Sequence, residues 1–170
     1  MSISAVRFKV PLLDFVPIVV RAMSSSSASK FNERCIFCKI AGQKDEGKDT
    51  ELLFTDDDYV AFRDYRPAGE HHYLVIPREH IKSVGVLTAA DVPMLRRMEE
   101  IAKQLLIDRG ATHEDSLLGF HWPFYTVGHL HLHAISPTNQ MSFFQRIEFS
   151  SKLFGSVDRA VKVIENKSTN

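Results

Sequence analysis

Gly128-His129-Leu130-His131-Leu132-His133-Ala134-Ile135 places an imidazole at every second residue from 129 to 133. Alternation of that kind is the period of a strand and not of a helix. In an extended chain the three rings share one face, spaced about 6.6 Å apart at a rise of about 3.3 Å per residue. Leu130, Leu132 and Ala134 then point to the opposite face as core. One alternating pair of histidines is more often a polar strand face than a site. Three in strict alternation, backed by apolar residues, point instead to a row built for chemistry.

Working upstream, Leu117-Leu118-Gly119-Phe120-His121 reads as a further strand, ended by Trp122-Pro123. Before it, Leu95, Met98, Ile101, Ala102 and Leu105 recur at three- and four-residue spacing, with Arg96, Arg97, Glu99, Glu100 and Lys103 between them. That is one long amphipathic helix. Asp91 is its expected N-cap, Pro93 fits only the first turn, and Arg109-Gly110 marks its end. Still earlier, His72 to Ile76 forms an apolar strand stopped by Pro77, and Glu51 to Thr55 and Tyr59 to Arg63 form a hairpin across Asp56-Asp57-Asp58. Downstream, Leu153, Phe154, Val157, Ala160, Val161 and Ile164 are spaced as a C-terminal helix over about residues 150–165. The sum is an α+β domain: an antiparallel sheet of about five strands, a long central helix and a C-terminal helix.

A chain of 170 residues with 44% hydrophobic content suits one domain plus tails, here a leader over residues 1–30 and a domain over 31–170. Lys+Arg and Asp+Glu balance at 21 each, which excludes a global attraction to nucleic acid or an anionic membrane. Phosphate recognition must therefore be local. Arg7, Lys9, Arg21 and Lys30 outnumber Asp14 in the leader, which runs into Ser24 to Ser27. It reads as a disordered tail or as a mitochondrial transit peptide. Pro11, Asp14 and Pro17 interrupt its apolar part too often for a membrane span or a secretory signal. Cys35 and Cys38 are too close to staple a fold, which fits a reducing compartment. The pair has three readings: a redox couple, for which the surrounding βαβ pattern is missing, buried packing, or half of a zinc site.

Three strings stand in order along the chain: Phe62-Arg63-Asp64-Tyr65-Arg66-Pro67, then His72-Tyr73-Leu74-Val75-Ile76-Pro77-Arg78-Glu79-His80-Ile81, then His129 to Ile135. Together, over about Cys35 to Pro137, they resemble the histidine triad (HIT) superfamily and, within it, the Hint branch of nucleoside phosphoramidases. Leu118-Gly119-Phe120-His121 with Pro123 is similar to the third Hint group and to the aprataxin branch. The resemblance implies a HIT-like fold and an adenosine 5'-monophosphoramidase that works through a covalent AMP–histidine intermediate.

The middle histidine, His131, is then the nucleophile. Neutral imidazole suits that task near neutral pH, provided one ring nitrogen is free while the other is held as N–H. By the same resemblance His133 holds a phosphate oxygen, His72 supports the row from the neighbouring strand, and Thr126 stands beside the leaving group. His121 replaces a neutral amide of the family and either contacts phosphate or leaving group, or simply closes a strand end. Asp64 corresponds to a ribose-binding acid, since a carboxylate can accept both sugar hydroxyls, and Phe62 and Tyr65 to the base pocket. Several relatives complete a structural zinc site with residues that correspond to His80 and His129, beside Cys35 and Cys38; the alternative for His129 is a place in the catalytic row, hydrogen-bonded to its neighbours. Catalysis is expected to need no cofactor. The expected partners are a purine nucleotide and a second copy of the chain, met through the long helix and the strand before the triad; nucleic acid is not expected. The expected location is the cytoplasm, with the nucleus besides, or the mitochondrion if the leader is a transit peptide. Two other readings stand beside this one: an aprataxin-like hydrolase removing AMP from 5'-adenylated DNA, and a nucleotide-binding scaffold. Against the first count the absent basic surplus and the chain end at Asn170, with no zinc-finger tail. Nucleotidyl transfer belongs to relatives with Gln at the third triad position, where this chain has His133.

Overall fold

In the computed structural model, which describes residues 31–111 and 113–167, the chain opens with helix α1, Ile36–Gly42. The leader expected over residues 1–30 lies outside the described residues. Strands β1, Leu52–Thr55, and β2, Tyr59–Arg63, form the expected hairpin. Its acidic turn is closed by Asp56, whose Oδ1 accepts from the backbone N–H of Asp58 at 3.0 Å and of Tyr59 at 2.6 Å. Strand β3, His71–Pro77, and the long helix α2, Val92–Asp108, follow. A 3-10 turn, Ala89–Asp91, leads into α2 under a capping box between Thr88 and Asp91, and Gly110, at φ +80°, ends it. Then come β4, Leu117–His121, β5, Leu132–Ser136, α3, Phe143–Glu148, β6, Phe154–Ser156, and α4, Val157–Lys167.

The sheet has six strands in the order β1-β2-β3-β5-β4-β6, with every pairing antiparallel. About five were expected. The extra strand is β6, three residues of the stretch expected to be helical, which pairs along β4. Pairing reassigns Phe154 to the sheet, and the helix starts only at Val157.

Period-2 alternation gives the sheet two different faces. Ala61, Tyr73, Val75, Phe120, Leu132 and Ala134 face α2, where Leu95, Met98, Ile101, Ala102 and Leu105 close the main core. Each fully buried large apolar side chain contributes about 1.5–3 kcal/mol. Val60, Phe62, Leu74 and Ile76 face the other way and pack under α1. His72 and His133 share that second face. The edge of β4 is paired with β6, and α4 packs on α2. The two surfaces expected to meet a second copy thus carry the protein's own C-terminal segment. No described helix is long and apolar enough to cross a membrane.

Candidate active site

The histidine row begins before its strand. Only His133 lies within β5, and His129 and His131 precede it. His129 sits in a turn, its N–H donating to Val127 O at 2.9 Å, and Leu130 donates to Ile81 O at 2.6 Å. Alternation nevertheless survives: Leu130 and Leu132 reach the α2 core, and all three imidazoles are buried.

On the second face a cleft of about 830 Å³ opens between α1 and α3. His72, His121, His131 and His133 line it, and it is bordered by Ile36, Phe37 and Ile40 of α1 and Gln145 and Glu148 of α3. Phe149 follows α3 on the same wall. Sequence reasoning missed both helical walls. The α1 stretch is short and rich in Ile and Phe, with strand and helix equally open to it. A signal for α3 did exist: Ser142 and Gln145 have capping-box spacing, and in the structure each side chain accepts from the other's backbone N–H. Of the expected nucleotide contacts, Phe62 is buried edge-on against Phe37 at 5.5 Å, Tyr65 stands 95% exposed at the rim, and Thr126 is exposed on the cleft margin.

Hydrogen bonds assign the ring protons. The backbone N–H of Ala68 donates to His72 Nδ1 at 2.9 Å, so the proton of neutral His72 is on Nε2. That Nε2–H donates to His133 Nδ1 at 2.9 Å, which places the proton of His133 on its own Nε2. This last N–H is buried and has no partner among the described residues. An unpartnered buried donor costs about 1–3 kcal/mol, and an anionic oxygen would satisfy it. His131 is set by its neighbour: its Nδ1–H donates to His129 O at 2.5 Å, leaving the Nε2 lone pair free. His121 donates from Nδ1 to Leu153 O at 3.3 Å, and its buried Nε2 has no partner among the described residues, with the ring centroid 4.8 Å from that of His133. His121 therefore both closes a strand end and borders the cleft.

Burial favours the neutral forms of His72, His131 and His133. Desolvation, with His121 and Arg63 adding to it, pushes His72 down to about 3. Desolvation also holds His133 well below the usual histidine range and lowers His131. The same desolvation raises the Asp64 carboxyl, whose Oδ1 accepts from Arg66 N–H at 2.7 Å and whose Oδ2 lies 3.5 Å from His72 Nε2.

Among the described residues, two groups of side chains come close enough to hold a metal ion. Asp64, His72 and His133 are one, but the Ala68 contact protonates His72 at Nε2, the atom that would have to ligate. Its two histidines are instead hydrogen-bonded to each other, with the Asp64 carboxylate beside them. The other is Cys35, Cys38, His80 and His129, whose ligand atoms all lie within 4.8 Å of one another. His129 Nδ1 is 3.5 Å from both sulfurs, and His80 Nδ1 is 3.3 Å from Cys38 Sγ. Ligands around a tetrahedral zinc with Zn–S near 2.3 Å and Zn–N near 2.0 Å stand roughly 3.5 Å apart. His129 Nε2–H donates to Pro77 O at 2.9 Å, which turns the Nδ1 lone pair toward the thiols, and Asn32 N–H reaches Cys38 Sγ at 3.4 Å. Without a cation, burial pushes the Cys38 thiol up to about 11. A bound cation reverses that penalty. Four donors of these types at these separations fit a structural zinc.

The comparisons agree with this geometry. Residues 34–148 match the family model described as "Scavenger mRNA decapping enzyme C-term binding". The chain is 43% identical over 119 residues to adenosine 5'-monophosphoramidase HINT3 of Xenopus tropicalis, covering 69% of this chain and 76% of that protein. Aprataxin of Danio rerio is more distant, 33% identical over 85 residues that span 49% of this chain and 26% of that protein. Among solved structures, the HIT family hydrolase from Legionella pneumophila Philadelphia 1 is 32% identical with a TM-score of 0.54, covering 60% of this chain and 91% of that one. With the triad in place on an antiparallel sheet and these relatives beside it, the chain belongs to the histidine triad superfamily, in its Hint branch.

Proposed function

We propose that the protein hydrolyses AMP phosphoramidates through an AMP–histidine intermediate on His131. The observation that carries this reading is the ring of His131: buried, neutral, held through Nδ1 by the His129 carbonyl, and left with a free Nε2 on the cleft. The likeness to a relative named adenosine 5'-monophosphoramidase supports the choice of substrate. In the first step Nε2 attacks the α-phosphorus, the P–N bond to the leaving amine breaks, and the amine leaves with a proton. In the second, water attacks the same phosphorus, the P–N bond to His131 breaks, and AMP is released. His133 Nε2–H, unpartnered in the structure, donates to a phosphate oxygen in both steps and steadies the charge developing there. The hydroxyl of Thr126, or His121 once it carries a proton on Nε2 as well as on Nδ1, delivers the proton to the amine, and the attacking water of the second step returns a proton to that donor. Asp64 accepts the ribose hydroxyls, and the base lies against Phe37 and Phe62, with Tyr65 at the rim. None of these steps requires a cofactor.

The test is direct. His131→Asn keeps a small polar side chain but removes the nucleophile, and AMP release from an adenosine phosphoramidate should fall at least ~1000-fold. Undiminished turnover by the variant would overturn the proposal. Removal of AMP from 5'-adenylated DNA is the second reading, favoured by His121 on the cleft; a kcat/KM on adenylated DNA above that on the phosphoramidate would establish it. A scaffold role predicts nucleotide binding with no turnover.

Zinc at Cys35, Cys38, His80 and His129 belongs to the same proposal, as a structural ion. Metal analysis should return about one zinc per chain, and Cys38→Ser should lose it together with several degrees of Tm. The purine-nucleotide partner follows from the activity. A homodimer would have to form away from the β4 edge and the α2 face that carry β6 and α4, and sedimentation velocity decides whether one exists. The proposed location is cytoplasmic and nuclear, with mitochondrial import as the alternative that a fluorescent fusion of the full chain separates.

A further inference from the structure

The cleft wall opposite α1 is built by α3 and the residue after it. Gln145, Glu148 and Phe149, spaced i, i+3 and i+4, face the cleft, and Phe143, Phe144 and Ile147 point outward. Of the three on the cleft side only Phe149 is buried, at 9% exposure. Its ring centroid lies 4.9 Å from that of His121, 5.5 Å from His133 and 5.7 Å from His72. A second apolar ring, Phe154, stands behind it at 5.3 Å. One phenyl group therefore touches three of the four cleft histidines.

We propose that Phe149 is a positioning residue for the reaction, holding His72 and His133 in one hydrogen-bonded arrangement and keeping water from the unpartnered Nε2 atoms of His133 and His121. The inference rests on the phosphoramidase reading for its kinetic consequence, though not for its structural one. An imidazole that turns over about its χ2 axis exchanges a nitrogen for a carbon. For His133 that turn would bring a carbon against His72 and bury Nε2 elsewhere. The edges of Phe149 and Phe154 pack against the ring at 5.5 and 5.9 Å between centroids and oppose that turn, and they replace the water that would compete with the His72 bond. The wall is itself fixed: Gln145 Nε2 donates to Pro67 O at 3.2 Å, Arg146 donates to Met141 O and Asn139 O at 3.1 Å each, and Phe149 N–H donates to Gln145 O at 2.8 Å.

The titratable groups around His133 are His72 from β3, His121 from β4, His131 before β5 and Asp64 after β2. Admitting water here favours the charged forms of the histidines, and protonation of His133 at Nδ1 breaks its bond to His72. The acid limb of kcat/KM should then move to higher pH.

The experiment compares Phe149→Ala and the milder Phe149→Val with Phe149→Leu, which restores an apolar wall. Imidazole nitrogen NMR of the substrate-free protein reads the tautomers, and the pH profile of kcat/KM on adenosine phosphoramidate reads the consequence. The expected result is single tautomers for His72 and His133 in the wild type and in the Leu variant. The Ala and Val variants should show averaged signals and an acid limb raised by roughly one pH unit, with a fall of ~10-fold in kcat/KM below it. If Ala does not fold, Val decides alone. Unchanged tautomers and an unchanged pH profile in the smaller variants, with only a lower Tm, would overturn the proposal. Absence of phosphoramidase activity in the wild type would remove the proposed function and leave the tautomer measurement to judge Phe149.

Discussion

The backbone N–H of Ala68 decides, through two rings, where the proton of His133 sits. His72 has no contact of its own to offer a phosphate, because both of its nitrogens are used, one toward Ala68 and one toward His133. Its effect on the reaction must therefore pass through His133. His72→Ala leaves a buried nitrogen unpaired and the His133 ring without a fixed tautomer. A cost of about 1–3 kcal/mol in transition-state stabilisation corresponds to a fall in kcat/KM of roughly 5- to 150-fold. Because the nucleoside walls are untouched, the affinity for AMP measured by calorimetry should stay within about threefold of the wild type. A larger loss of AMP binding than of turnover would show that His72 shapes the nucleotide pocket instead.

At the scale of elements, Gly119 connects the C-terminal segment to the active site. A Cβ at this position would meet Gly155 O at 2.3 Å and Phe154 Cε1 at 2.6 Å. The first of these is backbone of β6, which cannot swing aside as a side-chain tip can. Gly119→Ala should therefore destabilise the protein by about 1–3 kcal/mol, read as a lower denaturant midpoint at constant m-value. It should also displace Leu153 O, the acceptor that orients His121. An unchanged midpoint would mean that β6 is free to detach from β4. Elements of this kind also mark where the sequence stops being legible. The alternation 129–133 announced a buried face with histidines opposite a leucine core, and the α2 pattern named its own buried residues. It could not announce that His129 leaves the strand, since the cause is distant: Pro77 O and the two cysteines hold its ring. Nor could it find β6, because three residues take strand form only through their pairing partner, while Phe154, Val157, Ala160 and Val161 also satisfy a helical period.

At the scale of the whole molecule, the desolvation that readies the site also sets how stability depends on pH. His72 and His133 are neutral in the folded protein down to far below the ordinary histidine range, His72 to about 3. In the unfolded chain both accept a proton near pH 6.5. Below that value the unfolded state binds more protons than the folded one, so stability falls as pH falls, and it levels off only once the folded-state values are reached. Each such group costs on the order of 1 kcal/mol per pH unit below that value. Asp64 works in the opposite direction: its raised carboxyl takes up a proton earlier in the folded protein, which returns some stability on acidification. That return comes at lower pH, closer to the ordinary carboxylate range, and offsets little of the histidine loss near pH 5.5. Urea denaturation across about pH 5 to 8 should therefore show stability level above about pH 7 and falling below 6.5. The double variant His72→Phe/His133→Phe, which removes two of the four buried histidine titrations and leaves those of His129 and His131, should remove about half of that fall. If the wild type keeps its full stability to pH 5, or the double variant loses as much, the acid sensitivity of this fold does not come from His72 and His133.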